Sequence, residues 1–448
     1  MTSIFIPPFR ANGEVCAPAS KSDLHRLLIL ACLRDKPTKV CNLNLCDDVQ
    51  ATIDCLRALG AEIEIEGSNA AVTPLGFPRR GKAVAHSKTD ESPADNSQEE
   101  ITTSSAACGG AFPLGEGKGA VSAVHIPLLD ARESGSTLRF LLPVACALYP
   151  RVRFTARGSL MSRPLSGIIA CMKRHGVSFS SDTLPFETNG LLQEGVYEIS
   201  AGLSSQYASG LLMASVITGG RVEITDKAVS APYIDLTRRR IAEFRSDKTS
   251  FTAEGDWSGA AALLCLPGEI TVAGLDPDSP QADKAVLDAL AKSGAEISWN
   301  GDRVTVRNNE PKPFDFDITA CPDLAPCLAV LMAAGTSSIS SADSITEGEA
   351  GIGTLTGCRR LRYKESNRID AIVQMVTAMG GDATSDTDTV SVCGPLTGGC
   401  VKTFSDHRIA MAGAVSAAWS ECGAEIDDAD CVKKSCPAFW QFIDRVRK

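Results

Sequence analysis

The apolar positions of this chain fall into short alternating runs that lead, through a polar loop, into longer runs of small apolar residues. The pattern recurs six times: 15–22 before 24–33, 125–130 before 136–148, 197–206 before 207–217, 251–256 before 258–265, 316–323 before 324–334, and 401–406 before 407–419. Short alternation reads as a strand, and the longer run as a buried helix. A second element appears four times, a helix ending at Gly60, Gly176, Gly294 or Gly380 and followed by two more alternating segments. Helix-stop glycine and alternation predict a hairpin after each. Self-similar units of this size predict a repeat-built mixed α/β fold and not one doubly wound sheet. Six units divide into two sets of three. They are unequal: the segment after Arg240 reaches Phe251 too soon for a hairpin, so that unit reads as trimmed.

The chain has 448 residues, enough for two or more domains, and is 44% hydrophobic, enough for an ample core. Its formal net charge of −10 argues against general nucleic-acid binding, so any attraction for anions has to be local. Residues 85–120 stand apart, with only Ile101, Phe112 and Leu114 large and apolar. Such a stretch cannot offset its ordering entropy by burial and reads as a flexible surface insertion in a hairpin loop. Its Gly-Glu-Gly-Lys-Gly at 115–119 lacks the upstream glycine and preceding strand of a phosphate loop. The 17 Cys are scattered through apolar runs (Cys32, Cys146, Cys171, Cys265, Cys327) and read as reduced structural thiols. No Cys-x-x-Cys and no zinc-finger spacing is present. No apolar run approaches the length of a membrane span, and the first residues lack the basic-then-apolar order of a signal peptide. The expectation is a cytoplasmic protein without a membrane partner.

Three segments carry most of the chemistry: Ala-Ser-Lys-Ser-Asp-Leu-His-Arg at 19–26, Arg-Tyr-Lys-Glu-Ser-Asn-Arg at 362–368, and Ser-Asp-His-Arg at 405–408. Each sets cations where a helix is predicted to start. A helix N-terminus is already electropositive, so Lys21, Arg26, Lys364, Arg368 and Arg408 are unfavourably placed unless an anion sits opposite. Phosphate or carboxylate is the simplest occupant. The spacing predicts a helix over 364–379, with Lys364 and Arg368 one turn apart and Glu365 beside them. Cations keep Glu365 ionised; a bound dianion opposes that and lets it carry a proton as a general acid. The competing reading is a solvated helix face with ordinary ion pairs. Asp323 is either a helix cap or a general base, and Asp406 offers the same choice, beside an Arg408 whose first-turn position needs an anion. Ser204, Ser205 and Gln206 offer neutral donors at another helix start. Glu133 to Arg139 gives close backbone approach at Gly135, plus a cation. Arg163 and Lys434, taken singly, are ordinary surface charges. Five His are too few and too scattered for a metal centre, and no nucleophilic triad emerges.

In this order, Ser-Lys-Ser, Gly-Ser-Thr-Leu-Arg, Arg-Tyr-Lys-Glu-Ser-Asn-Arg and Asp-His-Arg-Ile-Ala-Met closely resemble the 5-enolpyruvylshikimate-3-phosphate synthase family, across nearly the whole chain outside 85–120 and 240–251. The resemblance implies a two-domain inside-out α/β barrel, an α-β prism of six βαβαββ-type repeats with three per domain. The domains would be 1–19 plus 255–448, and 20–254, with the chain crossing twice. The implied reaction moves the enolpyruvyl group of phosphoenolpyruvate onto the 5-hydroxyl of shikimate 3-phosphate. By the same resemblance Lys21, Ser22, Arg26, Ser204, Ser205, Gln206, Ser230, Tyr233, Asp323 and Lys364 hold shikimate 3-phosphate. Lys21, Gly135, Arg163, Gln206, Arg368, Arg408 and Lys434 meet phosphoenolpyruvate. Asp323 is implied as the base, Glu365 as the acid, and Lys21 as a further catalytic group. No cofactor or metal is implied, and the chain is expected to act as a monomer. Glu133, Phe140 and Arg360 depart from residues common in the family. The nearest rival within the fold acts on UDP-N-acetylglucosamine. Its pattern has Lys-Asn where this chain has Lys21-Ser22, and a reactive Cys where 158–162 read Gly-Ser-Leu-Met-Ser. Against a third reading, an RNA-binding or RNA-end-processing relative, stand the acidic charge and the lack of interleaved aromatics. Finally, the cations of the two halves are expected to repel when the cleft is empty and to be bridged by anionic substrates.

Overall fold

A computed structural model of the chain describes residues 2–75, 126–200, 202, 204–226, 231–335 and 351–447. The 85–120 segment and Ser230 lie outside the described residues. The fold is mixed α/β. All six small-residue helices form, as Lys21–Cys32, Gly135–Leu148, Ser205–Thr218, Trp257–Leu264, Ala325–Ala334 and His407–Trp419. They are apolar around most of their circumference, and a helix of that kind has to be buried. Their small residues let backbones approach closely. At Gly210 a Cβ would lie 2.3 Å from the carbonyl oxygen of Arg139 on the Gly135–Leu148 helix, so only glycine fits there.

The second kind of helix keeps one polar face and ends where predicted. Gly60, Gly176, Gly294 and Gly380 share one conformation, with φ of +93°, +90°, +91° and +95°. An L side chain rarely adopts that region, which turns the chain into the hairpin that follows. All four predicted hairpins are present.

Four sheets of four strands share one plan, a first strand parallel to a second, which pairs with a hairpin. They are Ser250–Thr252 with Thr38–Cys41, Asn69–Thr73 and Glu62–Glu66; Leu128–Asp130 with Arg151–Thr155, Phe186–Asn189 and Ser178–Phe179; Ala11–Cys16 with Gly268–Ala273, Arg303–Asn308 and Glu296–Asn300; and Asp315–Asp317 with Gly353–Thr356, Thr389–Cys393 and Asp382–Ser385. The trimmed unit is there: Val196–Ile199 pairs in parallel with Arg221–Ile224, and the Ala231–Phe244 helix runs directly to Ser250–Thr252. A second unit also lacks its hairpin. Gly399–Val401 and Ala424–Ile426 are completed instead by Ile4–Ile6, antiparallel to Ala424–Ile426.

Two apolar clusters fill the interior. One runs from Ala19 to Ala253; the other joins Ile6, Ala11 and Val15 to residues from Trp257 to Val446. The chain passes between them twice, and the two passages lie side by side. Ser20 N–H donates to the Glu254 carbonyl at 2.8 Å, and Asp256 N–H to the Pro18 carbonyl at 2.8 Å. Gln281 ties them further, donating to the Gly255 carbonyl at 2.7 Å and to Glu254 Oε1 at 2.9 Å. Burial, then the charge of Asp23, raises the Glu254 carboxyl from 4.5 to about 7. The unfolded chain releases that proton near 4.5 and the folded chain near 7, so stability falls as pH rises between the two. Glu254→Gln should therefore flatten this slope. Its melting temperature relative to the parent should be highest at pH 8 and the advantage should shrink toward pH 5, a span of order 2 kcal/mol. A pH-independent difference in thermal-shift profiles would show that Glu254 does not carry the proton.

The 16 described Cys are all free, and burial raises thiols such as Cys146 and Cys327 to about 12, which keeps them protonated and unreactive. Among the described residues no helix is long and apolar enough to cross a membrane.

Candidate active site

Helix starts from both clusters open onto one pocket. From the 19–253 cluster, Lys21, Ser22, Arg26, Gly135, Arg163, Ser204, Ser205, Gln206 and Tyr233 line it; from the other come Asp323, Lys364 and Glu365. Ser20 caps the Lys21–Cys32 helix by accepting from Asp23 N–H, which sets Lys21 at its first position. Lys21 Nζ lies 2.8 Å from Asp48 Oδ2. Burial opposes its ammonium, but Asp48 chiefly outweighs that and holds its pKa above the ordinary value. Arg26, 2% exposed, hydrogen-bonds hydroxyls and carbonyls and no carboxylate: Thr237 Oγ1 at 2.7 Å, the Tyr233 carbonyl at 2.9 Å, Ser209 Oγ at 3.4 Å and the Ser22 carbonyl. Its guanidinium lies over the Phe140 ring, 4.8 Å from the centroid. Burial lowers it to about 10, so it stays cationic at neutral pH.

The Gly135–Leu148 helix begins beneath two more guanidinium groups. A Cβ on Gly135 would meet Arg139 Nη1 at 3.0 Å and Arg163 Nη1 at 3.2 Å. Gln206 braces this side, accepting from Arg139 Nη1 at 2.7 Å and donating to Ser136 Oγ at 2.8 Å.

Across the pocket the carboxylates share one cation. Arg368, 1% exposed, donates to Asp323 Oδ1 at 2.7 Å, Glu365 Oε2 at 2.7 Å and Asp406 Oδ2 at 2.8 Å. Lys364 Nζ adds a second contact to Asp323 Oδ1 at 2.9 Å. Burial works against ionising Asp323, but Lys364, Arg368 and Arg408 outweigh it and hold its carboxyl well below the usual range. Glu365 is held well below its usual range in the same way, chiefly by Arg368 and Arg163, with Lys364 adding to them. Both are carboxylates.

The helix predicted over 364–379 begins later, at Arg368, and runs to Ala378. Lys364 is extended, with ψ of −159°, so it and Glu365 precede the helix and do not share its face with Arg368. Folding of this segment back onto Asp323, not helical spacing, brings the groups together. Asp323 sits in the short 3-10 turn Pro322–Leu324 and makes no cap bond. Asp406 caps the His407–Trp419 helix, accepting from Arg408 N–H at 2.9 Å, and it also pairs with Arg368.

Three expected residues lie one contact behind the wall. Arg368 is one. Arg408 donates to the Ser258 carbonyl at 2.6 Å and keeps an unpartnered Nε. Lys434 donates to the Glu133 carbonyl at 3.1 Å and stands 4.0 Å from Asp48 Oδ1. The two faces are not uniformly cationic as the sequence suggests. Arg163 faces Glu365 at 3.7 Å, Lys434 faces Glu133 at 3.3 Å, and Tyr233 donates to Asp283 at 3.0 Å, all across the cleft. Sequence reasoning missed Asp48, Tyr207, Asp283 and His407 in the wall. Asp48 carried a signal, an acidic pair opening a helix, which is common enough to pass as a cap. Among the described residues no His, Cys, Asp and Glu group is arranged to hold a metal ion.

Comparison with known proteins bears on this site. A family model described as EPSP synthase (3-phosphoshikimate 1-carboxyvinyltransferase) matches residues 7–88, 114–247 and 242–443. The chain belongs to the EPSP synthase family. A 3-phosphoshikimate 1-carboxyvinyltransferase of Clostridium kluyveri is 30% identical, covering 98% of this chain and 96% of that protein. One of Methanocorpusculum labreanum is 32% identical, covering 96% and 94%. In fold, the chain is similar to an EPSP synthase from Acinetobacter baumannii, with a TM-score of 0.71 at 19% identity over 99% of this chain and 98% of that one. Glu133, Phe140 and Arg360 are the residues set apart on sequence. Here Glu133 holds Lys434, Phe140 underlies Arg26, and Arg360 donates to the Thr319 carbonyl.

Proposed function

We propose that the protein transfers the enolpyruvyl group of phosphoenolpyruvate to the 5-hydroxyl of shikimate 3-phosphate, releasing phosphate, within the shikimate pathway to aromatic amino acids. Two ionised carboxylates bridged by Arg368, facing Lys21 and Arg163 across one pocket, carry this reading. Family membership supports it. Arg26, with no carboxylate partner among the described residues, and the donors Ser22, Ser204, Ser205, Gln206 and Lys364 take shikimate 3-phosphate, with Tyr233 closing that side; the resemblance adds Ser230, which lies outside the described residues. Lys21, Gly135, Arg163 and Gln206 take phosphoenolpyruvate; Arg368, Arg408 and Lys434, one contact behind, complete its cationic surround.

The chemistry follows from charge. Bound phosphoenolpyruvate sets negative charge against the cations that keep Glu365 ionised, which raises its proton affinity. Glu365 protonates the methylene carbon, the 5-hydroxyl oxygen bonds to the adjacent carbon, and Asp323 takes the hydroxyl proton. A tetrahedral phosphate ketal results. Glu365, left a carboxylate, then takes a proton back from the new methyl group, which restores the double bond as the carbon–oxygen bond to phosphate breaks. Lys21 and Arg163 stabilise the charge on the departing phosphate.

The two apolar clusters support two domains, 1–19 plus 255–448 and 20–254, and the repeated sheets support the inside-out barrel of six repeats. The protein is further proposed to be a monomer working in the cytoplasm, as expected from the sequence. Phosphate release from phosphoenolpyruvate tests the function. Shikimate 3-phosphate should elicit it and UDP-N-acetylglucosamine should not. Release with the nucleotide sugar alone would overturn the reading.

A further inference from the structure

We propose that Asp283 is a positioning residue, a clasp that holds Tyr233 in the pocket wall from the opposite side of the cleft. It deepens the function proposed above and rests on that reading for its substrate. Asp283 is 1% exposed, in the short turn Ala282–Ala285, and lines the pocket. Its Oδ2 accepts from the Tyr233 hydroxyl at 3.0 Å and from the Ser258 hydroxyl. Each contact leads to a cation. The Tyr233 carbonyl accepts from Arg26 at 2.9 Å, and Thr237, which also holds Arg26, donates to the same carbonyl at 3.0 Å. The Ser258 carbonyl accepts from Arg408 at 2.6 Å. One carboxylate thus joins the walls assigned to the two substrates.

Stability alone does not account for this group. Its Oδ1 is buried without a partner, and it shares the low-dielectric pocket with Asp323. Burial, then Asp323, raises its carboxyl to about 6. A half-satisfied carboxylate near another is unfavourable in isolation. Such a group is expected where geometry serves function. Tyr233 lies near the start of the Ala231–Phe244 helix, and its phenol reaches the other apolar cluster through Asp283.

The test reads the clasp both without and with substrate. In ligand-free Asp283→Ala, amide hydrogen exchange at 233–237 should rise about fivefold or more, with 207–217 unchanged. In the same variant the KM for shikimate 3-phosphate should rise about tenfold or more, the scale of a lost charged hydrogen bond, with kcat within threefold. Asp283→Asn keeps an acceptor oxygen and should restore both readouts to near the parent. Tyr233→Phe should match Asp283→Ala, and the double variant should be no worse than either. Unchanged exchange in Asp283→Ala, an Asp283→Asn as impaired as Asp283→Ala, or multiplicative effects in the double variant would each overturn the clasp. A parent that does not turn over shikimate 3-phosphate would sink the proposed function instead, while the exchange data still decide the clasp.

Discussion

Asp323→Asn and Glu365→Gln should each lower kcat by about 10²-fold or more, the usual scale for positioned acid–base groups. Both replacements keep the shape of the side chain and remove the proton-carrying oxygen. The fold should survive them. Arg368 retains Asp406 at 2.8 and 3.1 Å in either variant, so its guanidinium is never left uncompensated. Substrate affinity should hold or improve, because Lys364 and Arg368 lose a competing carboxylate in Asp323→Asn and Arg163 loses one in Glu365→Gln. A fall in kcat without a rise in either KM is therefore the expected signature. Steady-state kinetics with both substrates varied would check it, and near-parental kcat would remove that residue from the mechanism.

Arg368→Met should have the largest effect on stability of any single replacement in the pocket. The guanidinium is 1% exposed and compensates Asp323, Glu365 and Asp406, the last 0% exposed. Methionine fills similar volume, so packing is nearly kept and the change is electrostatic. Breaking a buried pair from one side costs about 3–5 kcal/mol. Here the loss is graded by what remains: Asp323 still has Lys364, but among the described residues Asp406 keeps only His407 as a basic side-chain neighbour, and burial holds that ring well below its usual pKa. A melting temperature lower by roughly 10 °C follows from the slope of about 2–4 °C per kcal/mol for chains of this class. Arg368→Lys should recover little, since one ammonium cannot reach three carboxylates in a fork geometry. A shift below about 2 °C in Arg368→Met would mean that the three carboxylates do not depend on Arg368.

Much of this architecture was legible because its signals are periodic. The helix ending at Gly60, Gly176, Gly294 or Gly380 repeats with its hairpin, and a left-handed glycine leaves little alternative. The strand that completes the last unit was not legible. Ile4–Ile6 is too short to carry alternation, and its partner, Ala424–Ile426, lies at the far end of the chain. The site divides the same way. Lys21 and Arg408 stood out as cations against a helix dipole, whereas their compensation came from contacts that spacing does not encode. Lys21 meets Asp48 from the next helix start, and Arg368 meets Asp406 from a different unit. The apolar stripe from Ile369 drew the predicted helix back to Lys364, but the chain leaves helical geometry before Arg368 to bring Lys364 and Glu365 onto Asp323. Asp283 had no signal at all, since a lone acidic residue in a turn gains meaning only from Tyr233 across the cleft.

The central claim is that a carbon–oxygen bond, not a phosphorus–oxygen bond, is broken during transfer to an acceptor hydroxyl. Phosphoenolpyruvate carrying ¹⁸O at the bridging oxygen, turned over with shikimate 3-phosphate and followed by phosphorus NMR and mass spectrometry, tests it directly. Addition followed by elimination predicts label in the released phosphate and one enol ether formed for each phosphate. Label retained in pyruvate, or phosphate released without the enol ether, would contradict it.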